Sequence, residues 1–304
     1  MKRVAPGVYP TMITPYTDDN QLDMEAVDRL VDFYVAQGCQ GVFAVCLSSE
    51  MFALSEDERV ALAAQVVKAA RGRLCVVASG HVSDSMDDQL RELRRMADTG
   101  VDNVVLVANR LARPEDPDDV LLNNLERILE AMPDVTFGMY ECPAPYKRPL
   151  TDRLLTFMAE SGRFSFIKDT CCDADILAHR AGLLSGSAQL FNANAATVLA
   201  SLRTGGAGFS GIMGNFHPDL YVRLFSLWRD QPEKADMLQA VLSVLSGEER
   251  SYYPVSCKYH MNLMGVNMDI LTRTKDASLL TGSKKLEIDQ FYKVEQLYLK
   301  HFFG

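Results

Sequence analysis

The sequence lacks three features that would direct the protein to a membrane, a secretory route or nucleic acid. No run of eighteen apolar residues occurs, so no segment is expected to span a bilayer. The first residues, MKRVAPGVYPTMITPY, contain no long apolar stretch of the kind that forms the core of a signal peptide. Acidic residues outnumber basic ones by 40 to 31, so neither nucleic acid nor an anionic membrane is an expected partner. These absences favour a cytoplasmic protein.

Cysteine and histidine are too few and too scattered to indicate a cross-linked or metal-bound framework. The seven cysteines include no C-x-x-C pair, and most lie in apolar runs, where a free thiol behaves as a small hydrophobic group. This usage predicts a reducing compartment and no disulfide scaffold. The five histidines show no H-x-x-x-H spacing and do not cluster with cysteine, so no metal site is expected.

Short apolar runs alternate with amphipathic stretches along most of the chain. This alternation is typical of parallel strands that are covered on both faces. A doubly wound open sheet is the main alternative, but TPYTDDNQLD follows the first run in place of a G-x-G-x-x-G loop. We therefore predict an α/β fold, a (β/α)₈ TIM barrel over residues 1–229, with a C-terminal helical extension over 230–304 that packs on it. The eight predicted strands are Val8–Ile13, Gly41–Val45, Cys75–Ala78, Asn103–Val107, Val135–Tyr140, Phe164–Lys168, Gln189–Phe191 and Gly208–Ile212.

Lys168 ends the sixth predicted strand, FSFIK, and the active site of a (β/α)₈ barrel lies at such strand ends. A free lysine has a pKa near 10.4, so about one in 2,500 is neutral at pH 7. Imine formation with a ketone needs the neutral amine, and burial at a barrel mouth would lower the pKa enough to provide it. The alternative is a structural lysine that is paired with Glu50, Glu141 or Asp169.

Tyr140 ends the neighbouring predicted strand, so its hydroxyl is expected in the same cavity as Lys168. The attack of an amine on a ketone needs a proton donor for the carbinolamine and an acceptor afterwards, and a tyrosine hydroxyl can serve as both. The alternative is a core aromatic residue whose hydroxyl is satisfied by one hydrogen bond.

Four stretches occur in order over nearly the whole chain: GVYPTMITPYTDDNQLD, YECPAP at 140–145, FIKDT at 166–170 and GAGFSGIMGN at 206–215. Together they resemble the dihydrodipicolinate synthase/N-acetylneuraminate lyase family of class I, Schiff-base aldolases. The resemblance implies a (β/α)₈ barrel that assembles as a homo-oligomer, a tetramer or a dimer. It also implies that Lys168 forms an imine with pyruvate or a related 2-keto acid, that Tyr140 transfers protons, and that no metal or organic cofactor is required.

The chain departs from the family pattern in the loops that choose the second substrate. CLSSE at 46–50 stands where the family usually has G-[TS]-T-G-E, so Leu47 replaces a hydroxyl of the proton relay while Ser48 and Glu50 retain their groups. Pro145 stands where dihydrodipicolinate synthases place an arginine, and the end of the fourth strand lacks the family's tyrosine pair. These departures predict a different aldehyde.

Several polar residues at strand ends are candidates for binding substrate. The Ser48 hydroxyl and the Ser49 backbone N–H could hold the carboxylate of a keto acid, and Ser210 follows the last strand. Arg110 could bind an anionic aldehyde or a second carboxylate. The alternatives are a hydrogen-bonded turn for the serines and a surface guanidinium for Arg110. His81 is a weaker candidate, since a lone loop histidine usually has no special role.

These observations predict a class I aldolase or lyase that makes or cleaves a carbon–carbon bond, with a substrate of the 2-keto-3-deoxy (sugar-)acid type. Its partners would be small molecules only, a 2-keto acid and an aldehyde. One alternative is dihydrodipicolinate synthase itself, which joins pyruvate to aspartate semialdehyde in lysine biosynthesis. A second alternative is a degenerate member that binds keto acids without turnover.

Overall fold

A computed structural model of the protein describes residues 4–303, and within that range eight parallel strands form a barrel. The strands β1–β8 are Gly7–Val8, Gly41–Phe43, Cys75–Ala78, Asn103–Val107, Phe137–Tyr140, Phe164–Asp169, Gln189–Asn192 and Gly208–Phe209. They pair in the order β1-β8-β7-β6-β5-β4-β3-β2. The seam between β1 and β2 is closed by the Phe43 amide, which donates to the Pro10 carbonyl at 2.9 Å, and by the Met12 amide, which donates to the Phe43 carbonyl at 3.0 Å. The predicted (β/α)₈ fold is confirmed.

All eight predicted strands are present. The second and fifth are two residues shorter than predicted, and the first and the last are shortened most. Beyond Val8 the chain meets β2 through an isolated bridge between Thr11 and Phe43, and the Tyr9 amide donates to the Phe209 carbonyl of β8 at 2.8 Å. Pro10, which separates the two segments, has no N–H for a regular ladder. At the other end, β8 stops at Phe209 and the following residues turn into the mouth of the barrel.

Helices separate the strands and cover the barrel. The helices α1–α13 are Met24–Ala36, Glu56–Ala70, Met86–Asp98, Ala108–Leu111, Asp118–Ala131, Asp152–Ser161, Ala174–Leu183, Val198–Arg203, Met213–Phe216, Pro218–Leu227, Pro232–Leu245, Val255–Leu263 and Gly282–Phe303. Their start signals are local: Ser55 and Glu58 form a reciprocal capping box at the start of α2.

Aromatic rings fill the interior of the barrel. Phe166 on β6 lies 4.4 Å from Phe191 between ring centroids, and it also contacts Phe43 and Tyr9. Side chains two residues apart on a strand point to the same face. Lys168 therefore enters the barrel one layer above Phe166, at the C-terminal end, where the floor beneath it is apolar.

The three C-terminal helices α11, α12 and α13 confirm the helical extension predicted from the sequence. Helix α11 packs on α10, and α12 packs on both α9 and α13. The division of the chain at residue 229 remains a prediction. No helix in the described part of the chain is both long and apolar enough to cross a membrane.

Candidate active site

A cavity of about 830 Å³ opens at the C-terminal ends of the strands. Its walls come from the strand ends and from the C-terminal helical region. The residues that line it include Leu47, Ser48, Glu50, Tyr140, Lys168, Thr170, Asn194, Gly211, Ile212, Ser243, Ser246, Arg250, Tyr253, Thr274 and Lys275. Both residues to which the sequence assigns chemistry, Lys168 and Tyr140, therefore face one space.

The Lys168 side chain is buried without a countercharge. The residue is 4% exposed, and among residues 4–303 no carboxylate lies within ion-pair distance of its ammonium group. The Nζ atom lies 4.3 Å from the centroid of the Tyr140 ring and 5.3 Å from that of Phe43. Burial lowers the pKa of the Lys168 ammonium below its ordinary value, although the neighbouring thiols of Cys46 and Cys142 act in the opposite direction.

The carboxylates that could have neutralised Lys168 are engaged elsewhere. Arg180 on α7 binds both Glu141 and Asp169 behind the strand ends. Glu50 lies in a left-handed conformation after the β2 turn, and its Oε1 accepts hydrogen bonds from the backbone amides of Arg273 and Thr274. The structural role considered for Lys168, a simple ion pair, does not occur among the described residues.

Tyr140 lies directly beside Lys168 in the sheet. The Cα atoms of the two residues are register partners between β5 and β6. The hydroxyl of Tyr140 is next to the Cys142 thiol, and burial raises the pKa of both groups, so both stay protonated near neutral pH. Tyr140 is therefore a neutral phenol beside a lysine with a lowered pKa, a pair that can donate and accept one proton.

The turn after β2 separates the two serines that the sequence grouped together. Ser48 lines the cavity, and its hydroxyl donates to Thr11 Oγ1 at 3.1 Å. Ser49 is fully buried beneath the turn, where its hydroxyl donates to the carbonyl oxygens of Met12 and Ala44. The Ser49 N–H donates to the Cys46 carbonyl at 3.1 Å, so neither group of Ser49 is available to a ligand.

The other predicted binding residues do not line the cavity. Ser210 is fully buried after β8, with a hydroxyl that has no hydrogen-bond partner among the described residues. The Arg110 guanidinium forms an ion pair with Asp84 on the surface. His81 is buried and has two structural contacts, because Nε2 accepts from the Val107 amide at 2.7 Å and Nδ1 lies 2.8 Å from the Gln89 side chain.

Tyr253 is a cavity residue that sequence reasoning missed. It lies in the segment between α11 and α12, which the sequence indicated only as part of the helical extension. Its hydroxyl is buried beside that of Ser48 and interacts with it. Burial raises the pKa of Tyr253 well above 10, so this hydroxyl is also protonated.

Two cations at the cavity mouth, Arg250 and Lys275, also come from the C-terminal region. Both side chains are exposed. The contacts of Glu50 with the 273–274 segment place Lys275 beside the β2 turn. No sequence motif surrounds Arg250 or Lys275, so only the folded chain reveals that both line the cavity mouth.

Comparison with known proteins places this geometry in a family. The model of the dihydrodipicolinate synthetase family matches residues 5–287. The 4-hydroxy-tetrahydrodipicolinate synthase of Laribacter hongkongensis (strain HLHK9) is 29% identical over 217 residues, which is 70% of this chain and 72% of that protein.

Two solved structures have the same fold. The prophage protein YagE of E. coli K12, a dihydrodipicolinic acid synthase family member solved in complex with pyruvate, superposes with a TM-score of 0.87 at 21% identity, over 96% of this chain and 99% of that one. The wild-type sialic acid aldolase of Ruminococcus gnavus superposes with a TM-score of 0.86 at 19% identity, over 98% of this chain and 99% of that one. At these identities the likeness demonstrates the fold alone.

Proposed function

The chain belongs to the dihydrodipicolinate synthetase family of Schiff-base aldolases and lyases, and we propose that Lys168 is the residue that forms the imine. The enzyme class, a pyruvate-dependent class I aldolase or lyase, follows from that membership. The observation that carries the assignment is a buried lysine without a countercharge that contacts the Tyr140 ring inside the cavity. The covalent imine replaces any organic cofactor in this chemistry.

The first step requires only groups that the cavity contains. Neutral Nζ of Lys168 attacks the carbonyl carbon of the 2-keto acid, and the carbonyl oxygen takes a proton from the Tyr140 hydroxyl to give a carbinolamine. Tyr140 recovers a proton from the nitrogen and delivers it to the leaving hydroxyl, so water departs and the protonated imine forms. The raised pKa of Tyr140 makes the phenolate a strong base, which favours its reprotonation within the cycle.

The protonated imine then acts as an electron sink for the carbon–carbon bond. In the cleavage direction, the Tyr140 phenolate left by dehydration removes the proton of the C4 hydroxyl, the C3–C4 bond breaks, and its electron pair forms an enamine as the aldehyde leaves. Protonation of the enamine at C3 and hydrolysis of the imine release the keto acid and the free Lys168. In the synthetic direction, the same enamine attacks an aldehyde.

The cavity favours a hydroxylated acid as the longer substrate. Ser48 lines the cavity from the turn after β2, and its hydroxyl would bind the keto-acid carboxylate. Polar side chains of Asn194, Ser243 and Ser246 line the outer wall, and Arg250 stands at the mouth for a second anionic group. The two serine hydroxyls donate to backbone carbonyls and keep an oxygen that can accept from a substrate hydroxyl. A cavity of about 830 Å³ exceeds what pyruvate and a small aldehyde need. A 2-keto-3-deoxy (sugar-)acid matches this combination.

Reductive trapping tests the proposal directly. The protein is incubated with pyruvate and, separately, with several 2-keto-3-deoxy sugar acids, then reduced with borohydride, weighed intact and mapped by peptide mass analysis. We expect one reduced adduct on Lys168. The absence of an adduct with every keto acid would contradict the imine mechanism and favour a keto-acid-binding protein without turnover.

Dihydrodipicolinate synthase itself is the second candidate, because the similar protein of Laribacter hongkongensis has that name. Pro145 and Leu47 argue against it, since neither supplies the polar group that the family pattern has there. Lys147 and Arg148 do not compensate: Lys147 donates to the Thr170 carbonyl and Arg148 is paired with Asp118. Product formation from pyruvate and aspartate semialdehyde, at a rate above that with sugar acids, would establish this alternative.

Tyr253 has a hydroxyl that could replace the one missing from the proton relay at Leu47. We therefore predict the effect of removing the Tyr253 hydroxyl. Tyr253→Phe is expected to lower kcat by about 10²-fold and to leave reductive trapping on Lys168 intact, because the buried hydroxyl lies beside Ser48 and not on the lysine. Steady-state kinetics of Tyr253→Phe and of a control variant provide the measurement. Tyr252→Phe is the matched control, since Tyr252 does not line the cavity, and equal rates for both variants would remove Tyr253 from the mechanism.

Assembly as a dimer or tetramer is supported by apolar side chains on α13. Leu286, Val294 and Leu297 are 55%, 50% and 55% exposed. A second copy that covers this face would bury them. We expect sedimentation velocity to find an oligomer that Leu286→Lys with Leu297→Lys dissociates, while the exposed control Leu279→Lys does not. A monomeric wild-type protein would contradict the proposal.

A cytoplasmic location is supported by cysteine usage. Four cysteines, Cys39, Cys46, Cys142 and Cys257, are buried as free thiols. Unpaired thiols in a packed core suit a reducing compartment.

A further inference from the structure

We propose that His217, His260 and Glu295 form a buried binding site for a divalent transition-metal ion of the zinc type, with Glu248 orienting the imidazole of His260. The four residues come from separate segments: the start of α10, the 3₁₀ turn Ser246–Arg250, α12 and α13. Each is at most 1% exposed. The scattered sequence positions had predicted no metal site, because only the fold brings these side chains together.

The Glu295 carboxylate faces one nitrogen of each histidine. Its Oε1 lies 3.0 Å from His217 Nδ1, and its Oε2 lies 3.6 Å from His260 Nε2. His217 Nδ1, although close, makes no hydrogen bond, and neither does His260 Nε2. Two ligands of a tetrahedral zinc ion with bonds of 2.0–2.1 Å lie roughly 3.3 Å apart. The two observed distances, 3.0 and 3.6 Å, lie on either side of that separation, and one ligand atom from each of the three residues lies within 4.8 Å of the others.

Glu248 lies on the opposite side of both rings. Its Oε1 is 2.7 Å from His260 Nδ1, a hydrogen bond in which the ring N–H donates, and its Oε2 is 3.6 Å from His217 Nε2. With Nδ1 as the donor, the lone pair of His260 Nε2 is directed toward Glu295. A carboxylate behind a metal-binding histidine fixes the tautomer and the ring orientation in this way. Glu248 therefore orients His260 by a hydrogen bond, while it meets His217 only at ion-pair distance.

Hydrogen bonds among the four side chains explain the cluster less well than a bound cation does. Five of its buried polar atoms have no hydrogen-bond partner among the described residues: His217 Nδ1, His217 Nε2, His260 Nε2, Glu248 Oε2 and Glu295 Oε2. Buried polar atoms are almost always satisfied in folded proteins. A metal ion would satisfy three of them, Glu295 Oε2 and the two imidazole nitrogens that face it, His217 Nδ1 and His260 Nε2. Two imidazoles with a carboxylate select Zn²⁺ or a similar first-row ion over Mg²⁺ or Ca²⁺, which prefer oxygen ligands.

The site would stabilise one wall of the cavity without taking part in the chemistry. None of the four residues lines the cavity, but Glu249 and Arg250 directly follow Glu248 and do line it. An ion that joins the segment of Glu248 to α10, α12 and α13 would fix the position of Arg250. The inference therefore holds whether or not Lys168 forms an imine.

Metal analysis of the full-length protein tests the site. The protein is stripped with a chelator, supplied with Zn²⁺ or Co²⁺, desalted, and examined by elemental mass spectrometry, calorimetry and visible spectroscopy. We expect one equivalent of Zn²⁺, visible bands of Co²⁺ in a nitrogen–oxygen site of low coordination number, and a higher Tm with zinc than without it. Failure of the wild-type protein to retain either ion would overturn the proposal.

Matched variants separate this site from adventitious binding. Glu295→Gln and His260→Ala are expected to lose the retained equivalent. Glu92→Gln, in the buried Arg59–Glu92 ion pair, and His179→Ala, on the surface beside Asp152, are expected to keep it. Retention by Glu295→Gln and His260→Ala would refute the assignment, as would loss in the two controls. If the two site variants do not fold, the Co²⁺ spectrum of the wild-type protein decides: bands of six-coordinate, all-oxygen Co²⁺ would refute it.

Discussion

Lys168→Ala is expected to abolish reductive trapping of pyruvate and to reduce turnover to the background rate. The reason is chemical, because Nζ of Lys168 is the nucleophile and no other amine lines the inner cavity beside Tyr140 among the described residues. Intact mass measurement after borohydride reduction and a coupled assay for the aldehyde provide the two readouts. Circular dichroism checks that the variant folds.

A second buried lysine makes the mapping of the adduct decisive. Lys258 on α12 is fully buried, and burial lowers its pKa to about 8, but its ammonium group donates to the Leu271 carbonyl outside the cavity. An adduct on Lys258 would contradict the assignment of Lys168. Lys147→Ala is the matched control for loss of a nearby cation, and it should retain full trapping.

The pH dependence of trapping follows from the lowered pKa of Lys168. Below that pKa the amine is protonated and cannot attack, so the rate of imine formation should rise with pH and level off once the amine is neutral. The midpoint is expected below 10.5, the value for an unperturbed lysine. A midpoint at or above 10.5 in single-turnover measurements would show that burial does not activate this amine.

Tyr140→Phe is expected to lower kcat by about 10²–10⁴-fold, which is the usual contribution of a positioned acid–base group. This loss corresponds to roughly 3–5 kcal/mol of transition-state stabilisation. The fold should persist, because phenylalanine retains the ring that packs edge-on against Phe43 at 5.6 Å between centroids. Because the hydroxyl moves protons in every step, the variant should form the trapped adduct slowly but on the same lysine.

Tyr221→Phe is the control for a buried tyrosine without a catalytic role. Tyr221 is fully buried, stacks on Phe209 at 4.1 Å, and has a hydroxyl without a hydrogen-bond partner among the described residues, but it does not line the cavity. Near wild-type kcat for Tyr221→Phe beside a large loss for Tyr140→Phe would support proton transfer at Tyr140. Similar small losses in both variants would show that Tyr140 only packs.

The sequence predicts the barrel well because its signals are local. Runs such as Asn103–Val107 and Cys75–Ala78 are bounded by turns and match the observed strands residue for residue. The ends of strands beside proline or glycine are predicted less accurately: β1 stops before Pro10, and β8 stops before the Ser210–Gly211 turn. The position of Lys168 beside Tyr140 also follows from the order of the strands along the chain, since consecutive strands of the barrel are neighbours.

The binding residues were predicted less well, because a strand-end position does not set the direction of a side chain. Ser48 and Ser49 are adjacent in sequence, but one faces the cavity and the other is hydrogen-bonded beneath it. Arg110 follows β4, but its guanidinium is engaged by Asp84. Whether a loop cation reaches a ligand depends on which carboxylates the fold brings near it.

The sequence by itself determined the eight strands, the helices between them and the two residues proposed to carry the chemistry, because periodicity and strand order are properties of neighbouring residues. Only the tertiary structure decided that no carboxylate of the described residues pairs with Lys168, since Arg180 engages Glu141 and Asp169. It also brought Tyr253 to the cavity, and His217 beside His260, from segments distant in sequence. Long-range packing sets those contacts, and no local pattern records them.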